Sequence, residues 1–371
     1  DWFELHPEVF LKGKKVDSAE DLVFHGQQCV EHNGQFYFIP QKTLPKIKWL
    51  DYFWKKLAAK GEKKQFSWES KIEQIPKSQT LELLAMQEAG LPVEGGPRWQ
   101  EILAEFKKLK SGNTREDLFA QKDFKVPLKN FQKTGTQWML DLYKMGLGGI
   151  LADDMGLGKT IQSIGALEWL RLNAKMGHCL VVVPTSLTYN WMTEIERFAP
   201  DMAFYNFASK KKTEHLQFLK DNQHSLTVIT YGLFNKNCRE LQDAVEWNIV
   251  LFDEAQNLKN ITATRTGYAR KFPAASKFAL TGTPMENHYG EFYSLVDLVV
   301  PGALGSYSGF LKTYNFQASK GYHPEKLEQE LEYLKLKTAP LVMRRNKEKV
   351  LLELPDKVET TIKLDFDVKQ E

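Results

Sequence analysis

A chain of 371 residues, 42% hydrophobic and 26% charged, has the balance of an ordinary globular protein, with room for two domains or one large one with appendages. The formal net charge of +3 is too small to argue for nucleic acid by itself, so that case must rest on local motifs. No apolar run approaches membrane-spanning length and no signal peptide stands at the start, so no membrane partner is expected, and a first residue of Asp1 rather than Met reads as a piece of a longer protein.

Residues 1 to about 40 read as a small β unit. Asn33-Gly34 between Val30-Glu31-His32 and Gln35–Ile39 is a strong signal for a two-residue hairpin turn. His25, Cys29 and His32 lack a fourth ligand at a suitable spacing, and a strand pair accounts for them without a metal. Three scattered cysteines, Cys29, Cys179 and Cys238, suggest a reducing compartment and no disulfide framework. From Gln41 to about Gly112 the pattern turns helical, through Trp49, Phe53, Trp54 and Leu57, then Leu81, Leu84 and Ala85, then Ile102, Leu103 and Phe106. Lysines at 60 to 64 beside Trp54, Phe66 and Trp68 read first as a solvated helix end, with nucleic-acid contact the sharper alternative.

After Val126-Pro127 short apolar strands alternate with helices. The expected strands are Gly149–Ala152, Cys179–Val183, Ala203–Phe207, Leu226–Thr230, Asn248–Phe252 and Lys277–Leu280, and one expected helix is Leu187–Phe198 with Trp191, Ile195 and Phe198 on one face. This predicts an α/β fold, a mainly parallel sheet covered by helices on both faces, with ligands at the carboxyl ends of the strands.

Three strand ends carry chemistry. Ile150-Leu151-Ala152 leads into Asp153-Asp154-Met155-Gly156-Leu157-Gly158-Lys159-Thr160 and an amphipathic helix. Strand, glycine loop and helix start aim backbone N–H groups at one point, where a phosphate chain can sit. Lys159 would face the outer phosphates and the Thr160 hydroxyl a Mg²⁺ ion. The general pattern GxxxxGK[ST] wants glycine where Asp153 stands. The apolar strand Asn248–Phe252 delivers Asp253-Glu254-Ala255-Gln256. Beside a phosphate loop, Asp253 suits a Mg²⁺ ion and Glu254 a general base for water; alone, the pair would be an acidic helix start. The third end, Thr281-Gly282-Thr283-Pro284, offers two hydroxyls that can bond both the acidic box and a phosphate.

In this order the segments resemble the first RecA-like lobe of a Swi/Snf-family ATPase, within helicase superfamily two, and more particularly a bacterial member. Leu128-Lys129-Asn130-Phe131-Gln132 resembles the motif whose glutamine reads adenine, here Gln132. Val183–Leu187 with Asn190-Trp191, and Ile229-Thr230-Tyr231, resemble motifs on the DNA side; Asn287, Met343–Lys347 and Leu354-Pro355 continue the match. Asp154 stands where many members have glutamate, and Gln256 where many have histidine; both keep a polar group, and Gln256 with Thr281, Gly282 and Thr283 would couple nucleotide to motion.

The resemblance covers about 124 to 371 and divides the chain into an amino-terminal accessory region (1–123), a helicase ATP-binding lobe (124–355) and the start of a linker to a second lobe (356–371). It implies an ATP hydrolase with ATP and Mg²⁺ as cofactors, double-stranded DNA and a second RecA-like lobe as partners, and a cytoplasmic, nucleoid-associated setting. DNA backbone contacts are expected at Thr185, Ser186, Thr230, Lys259 and Asn260. The second lobe and its arginine finger lie outside these residues, so ATP binding with poor hydrolysis is expected of this polypeptide alone. Two alternatives remain, an RNA helicase and a nucleotide-dependent module in which residues 1–123 dock a partner protein.

Overall fold

The computed structural model of the chain describes residues 80–350, other than 92, 113–114, 208–211, 286–288, 315–323 and 349, together with seven short strands and one turn within residues 2–76. The helical periodicity at Trp49–Leu57, the lysines at 60 to 64, Asn287, Leu354-Pro355 and the run 358–366 lie outside the described residues.

The centre is a seven-stranded sheet in the order β10-β11-β9-β12-β13-β8-β14, with every neighbouring pair parallel. Its strands are β8 (Gly149–Leu151), β9 (His178–Val183), β10 (Phe204–Asn206), β11 (Ser225–Thr230), β12 (Trp247–Asp253), β13 (Ser276–Leu280) and β14 (Val342–Met343). The first six fall within two residues of the expected bounds. Cys179–Val183 and Val250–Phe252 are fully buried, as continuous apolar runs must be when helices cover both faces. The expected helix at Leu187–Phe198 begins as a 3₁₀ turn, Thr185–Leu187, and continues as Thr188–Phe198 with Trp191 and Ile195 buried.

In the amino-terminal region β1 (Trp2–Leu5), β2 (Phe10–Leu11), β3 (Lys14–Lys15), β4 (Leu22–His25), β5 (Cys29–His32) and β6 (Gln35–Phe38) precede β7 (Ile72–Pro76). The β5–β6 hairpin turns at Asn33 (φ 52°) and Gly34 (φ 72°), both left-handed as a tight two-residue hairpin requires. One expectation is corrected: Ile72–Pro76, inside the stretch read as helical, is a strand paired antiparallel with β1. That pairing joins residues some seventy positions apart, which no local periodicity reveals.

The helices Thr80–Glu88 and Pro97–Ser111 carry Leu81, Leu84, Ala85, Ile102 and Phe106 into the same core as the sheet. The second starts with Pro97 after Gly96 and stops at left-handed Gly112, the backbone asymmetry that favours proline at helix starts and glycine just past their ends. Glu82 and Lys337 form a buried ion pair, with the Tyr333 hydroxyl 3.3 Å from the Lys337 ammonium. It ties the first helix to Pro324–Thr338, which runs through a 3₁₀ turn into β14. Among the described residues no helix is long and apolar enough to cross a membrane.

Candidate functional site

β8 lies between β13 and β14, and its carboxyl end opens into the glycine loop. Gly156 (φ 84°) and Gly158 (φ 77°) are left-handed, where side chains are strained. A Cβ at Gly158 would also lie 2.6 Å from the Gln132 amide nitrogen and 2.9 Å from Ile161 Cγ2. The helix Lys159–Leu172 follows at once with no side chain capping its start, so its first-turn N–H groups and dipole suit an anion. Lys159 Nζ donates to the Asp153 carbonyl at 2.8 Å. Burial pushes its pKa down, opposed by the carboxylates of Glu254, Asp153, Asp253 and Asp154. Thr160, half-buried, is the next residue of the same turn. The loop therefore fits a polyphosphate.

Other loop positions divide by exposure. Met155 is 64% exposed and its Cγ lies 3.4 Å from where a Cβ on Gly282 would stand, whereas Leu157 is fully buried and can offer a ligand only its backbone. Gln132 sits under the loop, accepting from the Lys129 amide at 2.9 Å and donating to the Leu157 carbonyl at 3.2 Å. It holds the loop from below.

Asp153 departs from the expectation of a ligand contact. Its side chain is fully buried. Oδ1 accepts from Arg345 Nε at 2.9 Å and the Arg345 amide at 3.1 Å; Oδ2 accepts from Gln162 Nε2 at 3.1 Å and pairs with the Arg345 guanidinium. Both oxygens are committed inward, so only the Asp153 backbone can serve a nucleotide. Arg345 also donates to Gln162 Oε1 at 2.6 Å and to the Phe131 carbonyl. Around it Ala152 N–H donates to the Met343 carbonyl at 2.7 Å and Asp154 N–H to the Arg345 carbonyl at 3.1 Å. The Lys347 N–H closes the seam on Asp154 Oδ2 at 3.1 Å.

Two strands away, β12 ends in the acidic box. Asp253 is 5% exposed, with Oδ1 accepting from the Glu254 amide at 2.9 Å and Oδ2 from the Trp191 indole N–H at 2.7 Å. Burial raises its pKa above the usual carboxylate range, and those two hydrogen bonds work against the rise. Glu254 is left-handed (φ 47°), an uncommon state for a residue with a side chain, held by Asn257 donating twice to its carbonyl. Its Oε2 accepts from Gln256 Nε2 at 2.6 Å, and Gln256 Oε1 accepts from the Thr281 hydroxyl at 3.0 Å. The Thr283 amide donates to that hydroxyl at 3.2 Å, and the Thr281 amide to the Leu151 carbonyl at 3.1 Å. An unbroken polar chain thus joins Glu254, Gln256, Thr281 and Thr283 to the end of β8.

On the proposed DNA side, Thr185 and Ser186 are exposed on the 3₁₀ turn after β9. Thr230 caps the helix Tyr231–Ala244, its hydroxyl accepting from the Leu233 amide at 3.4 Å. Asn260 is exposed and accepts from the Thr262 hydroxyl at 2.7 Å. Lys259 is a correction: it is 8% exposed and turned inward to Glu291 Oε2 at 3.4 Å, so it presents no cation to a phosphate backbone. Sequence reasoning missed the roles of Trp191, Tyr231, Gln162 and Arg345. In the sequence the indole reads as part of an apolar helix face and of a segment on the DNA side, with no sign of its bond to Asp253.

The SNF2-related domain matches residues 131–371, well over half of the chain. YwqA of Bacillus subtilis (strain 168), named as an ATP-dependent helicase/translocase, is 35% identical over 265 residues, covering 70% of this chain and 28% of that protein. The chromatin-remodeling ATPase INO80 of Aspergillus oryzae is 31% identical over 256 residues, 66% of this chain and 18% of the relative. The Sulfolobus solfataricus SWI2/SNF2 ATPase core, solved in complex with dsDNA, superposes with a TM-score of 0.56 at 34% identity, covering 64% of this chain and 49% of that one. The chain thus spans less than a third of these curated relatives and about half of the solved core. Matched by that family model over residues 131–371 and sharing its parallel-sheet fold with the solved core, the chain belongs to the SNF2-related family of helicase-like, RecA-fold ATPases.

Proposed function

We propose that this chain is the ATP-binding lobe of a DNA-stimulated motor that moves along or remodels double-stranded DNA complexes without separating the strands. The observation that carries the reading is that Lys159, in the loop after β8, and the Asp253–Glu254 pair, at the end of β12, stand at the carboxyl ends of strands in one parallel sheet, with Glu254 wired through Gln256 to Thr281. Loop amides, Gly156, Gly158 and Lys159 bind the phosphates. Thr160 and Asp253 would hold Mg²⁺, which neutralises charge on the phosphate oxygens when bound. Glu254 orients and deprotonates the attacking water. Thr185, Ser186, Thr230 and Asn260 lie at strand and helix ends suited to DNA phosphates. A second RecA-like lobe would supply the arginine finger, worth about 10³–10⁵ in rate in other nucleotide hydrolases, so this lobe alone should hydrolyse ATP slowly.

The test is steady-state ATPase in a polypeptide carrying both lobes, with duplex DNA, duplex RNA or neither. The proposal predicts stimulation by duplex DNA that fades as salt rises. Equal stimulation by RNA would favour the helicase alternative. Turnover by residues 1–371 alone matching the two-lobe protein would overturn the need for a partner lobe.

A further inference from the structure

Asp253 is gripped by two residues that the nucleotide chemistry does not itself require. Trp191 is fully buried and donates its indole N–H to Asp253 Oδ2 at 2.7 Å. The Tyr231 hydroxyl donates to the Asp253 carbonyl at 2.8 Å. These two residues stand on helices that follow different strands. Trp191 lies one turn into the helix that continues from the exposed turn Thr185–Leu187 after β9. Tyr231 is the first residue of the helix that Thr230 caps at the end of β11. In the sheet β9 separates β11 from β12, so Tyr231 reaches across a whole strand to bond the box at the end of β12.

Both exits expected to touch DNA are thereby bonded to the same acidic residue. Each bond governs a different part of it. The indole fixes the rotation of the carboxylate, because Oδ1 is already held by the Glu254 amide 2.9 Å away. The phenol fixes the peptide that enters Glu254, whose left-handed backbone sets the direction of the base. A small displacement of either helix start would therefore reach the carboxylate or the base through a single hydrogen bond, with no intervening flexible side chain.

We propose that Trp191 and Tyr231 are positioning residues that carry duplex contact at the ends of β9 and β11 to Asp253, aligning its carboxylate for the divalent cation and Glu254 for water. The inference rests on the DNA-stimulated reading above. Tyr231→Phe removes one hydroxyl and keeps the ring; Trp191→Phe removes the indole N–H and part of its bulk. In the two-lobe protein, ATPase would be measured against duplex DNA concentration and against Mg²⁺, with DNA affinity followed by fluorescence anisotropy and folding by thermal melting.

In both variants the ratio of DNA-stimulated to basal turnover should fall at least fivefold, and in Trp191→Phe, which frees the carboxylate itself, half-maximal Mg²⁺ should also rise several-fold. DNA affinity should stay within twofold. Basal and stimulated rates falling together, with the ratio and Mg²⁺ requirement as in the parent, would show that the two rings only pack and would overturn the coupling. A parent protein with no DNA stimulation would instead overturn the motor reading and the coupling with it. Should Trp191→Phe fail to fold, Tyr231→Phe alone decides.

Discussion

Glu254→Gln should leave ATP binding within about threefold of the parent while slowing hydrolysis in a two-lobe protein by about 10²–10⁴. The substitution is close to isosteric, and its amide oxygen can still accept from Gln256 Nε2, which lies 2.6 Å from the native carboxylate. The left-handed backbone at residue 254 and the two Asn257 bonds to its carbonyl owe nothing to the side-chain charge. What goes is the group proposed to accept the proton from water. Binding would be followed by titration of MgATP and chemistry by phosphate release in a single turnover. A variant that loses binding and turnover equally would place Glu254 among the residues that only shape the pocket. A docking module would keep its partner function in this variant, whereas a motor would lose movement along DNA.

Arg345→Ala should destabilise the fold by about 3–5 kcal/mol, the usual range when one partner of a buried ion pair is removed. Asp153 is fully buried, and after the substitution it would keep only Gln162 and the residue 345 amide as donors. Gln162 Oε1 and the Phe131 carbonyl would lose their guanidinium contacts as well. A carboxylate left in that position without its cation is the dominant loss; burial of Arg345 itself is incomplete. Adding Asp153→Asn removes the stranded charge, so the double variant should recover part of the deficit. Denaturant midpoints of the parent, both single variants and the double variant measure this directly. Strict additivity of the two single effects would show that the residues act independently and would contradict the lock.

The parts of the site that were legible in the sequence are those whose chemistry is local. Glycines two apart before Lys159-Thr160, and two acids after an apolar strand, point to the proposed phosphate loop and metal carboxylate because neighbouring residues do the work. The strands were legible for a similar reason, since full burial on both faces leaves runs such as Leu180–Val183 without polar interruption. The Asp153–Arg345 lock was hidden by a separation of 192 residues. It exists because β14 returns beside β8 and lays its exit segment along the loop. An aspartate at a glycine position of the motif was the one available signal, a departure that a buried counter-charge now explains. Lys259 misled in the opposite sense: a lysine just after the acidic box and beside Asn260 reads as solvated, and only the folded chain brings Glu291 within 3.4 Å of it. Trp191 reads as part of an apolar helix face, and both it and Tyr231 fall in segments that resemble DNA-side motifs, so nothing in the sequence pointed their polar tips at Asp253.

Whether the loop and the acidic box form one nucleotide cradle is decided by calorimetric titration of residues 1–371 with MgATP, parent against Lys159→Ala. A shared cradle requires saturable binding of one nucleotide by the parent, and at least tenfold weaker binding by the variant, since a hydrogen bond from a charged donor is worth about 1.5–3 kcal/mol. Equal affinity in the two proteins would contradict it.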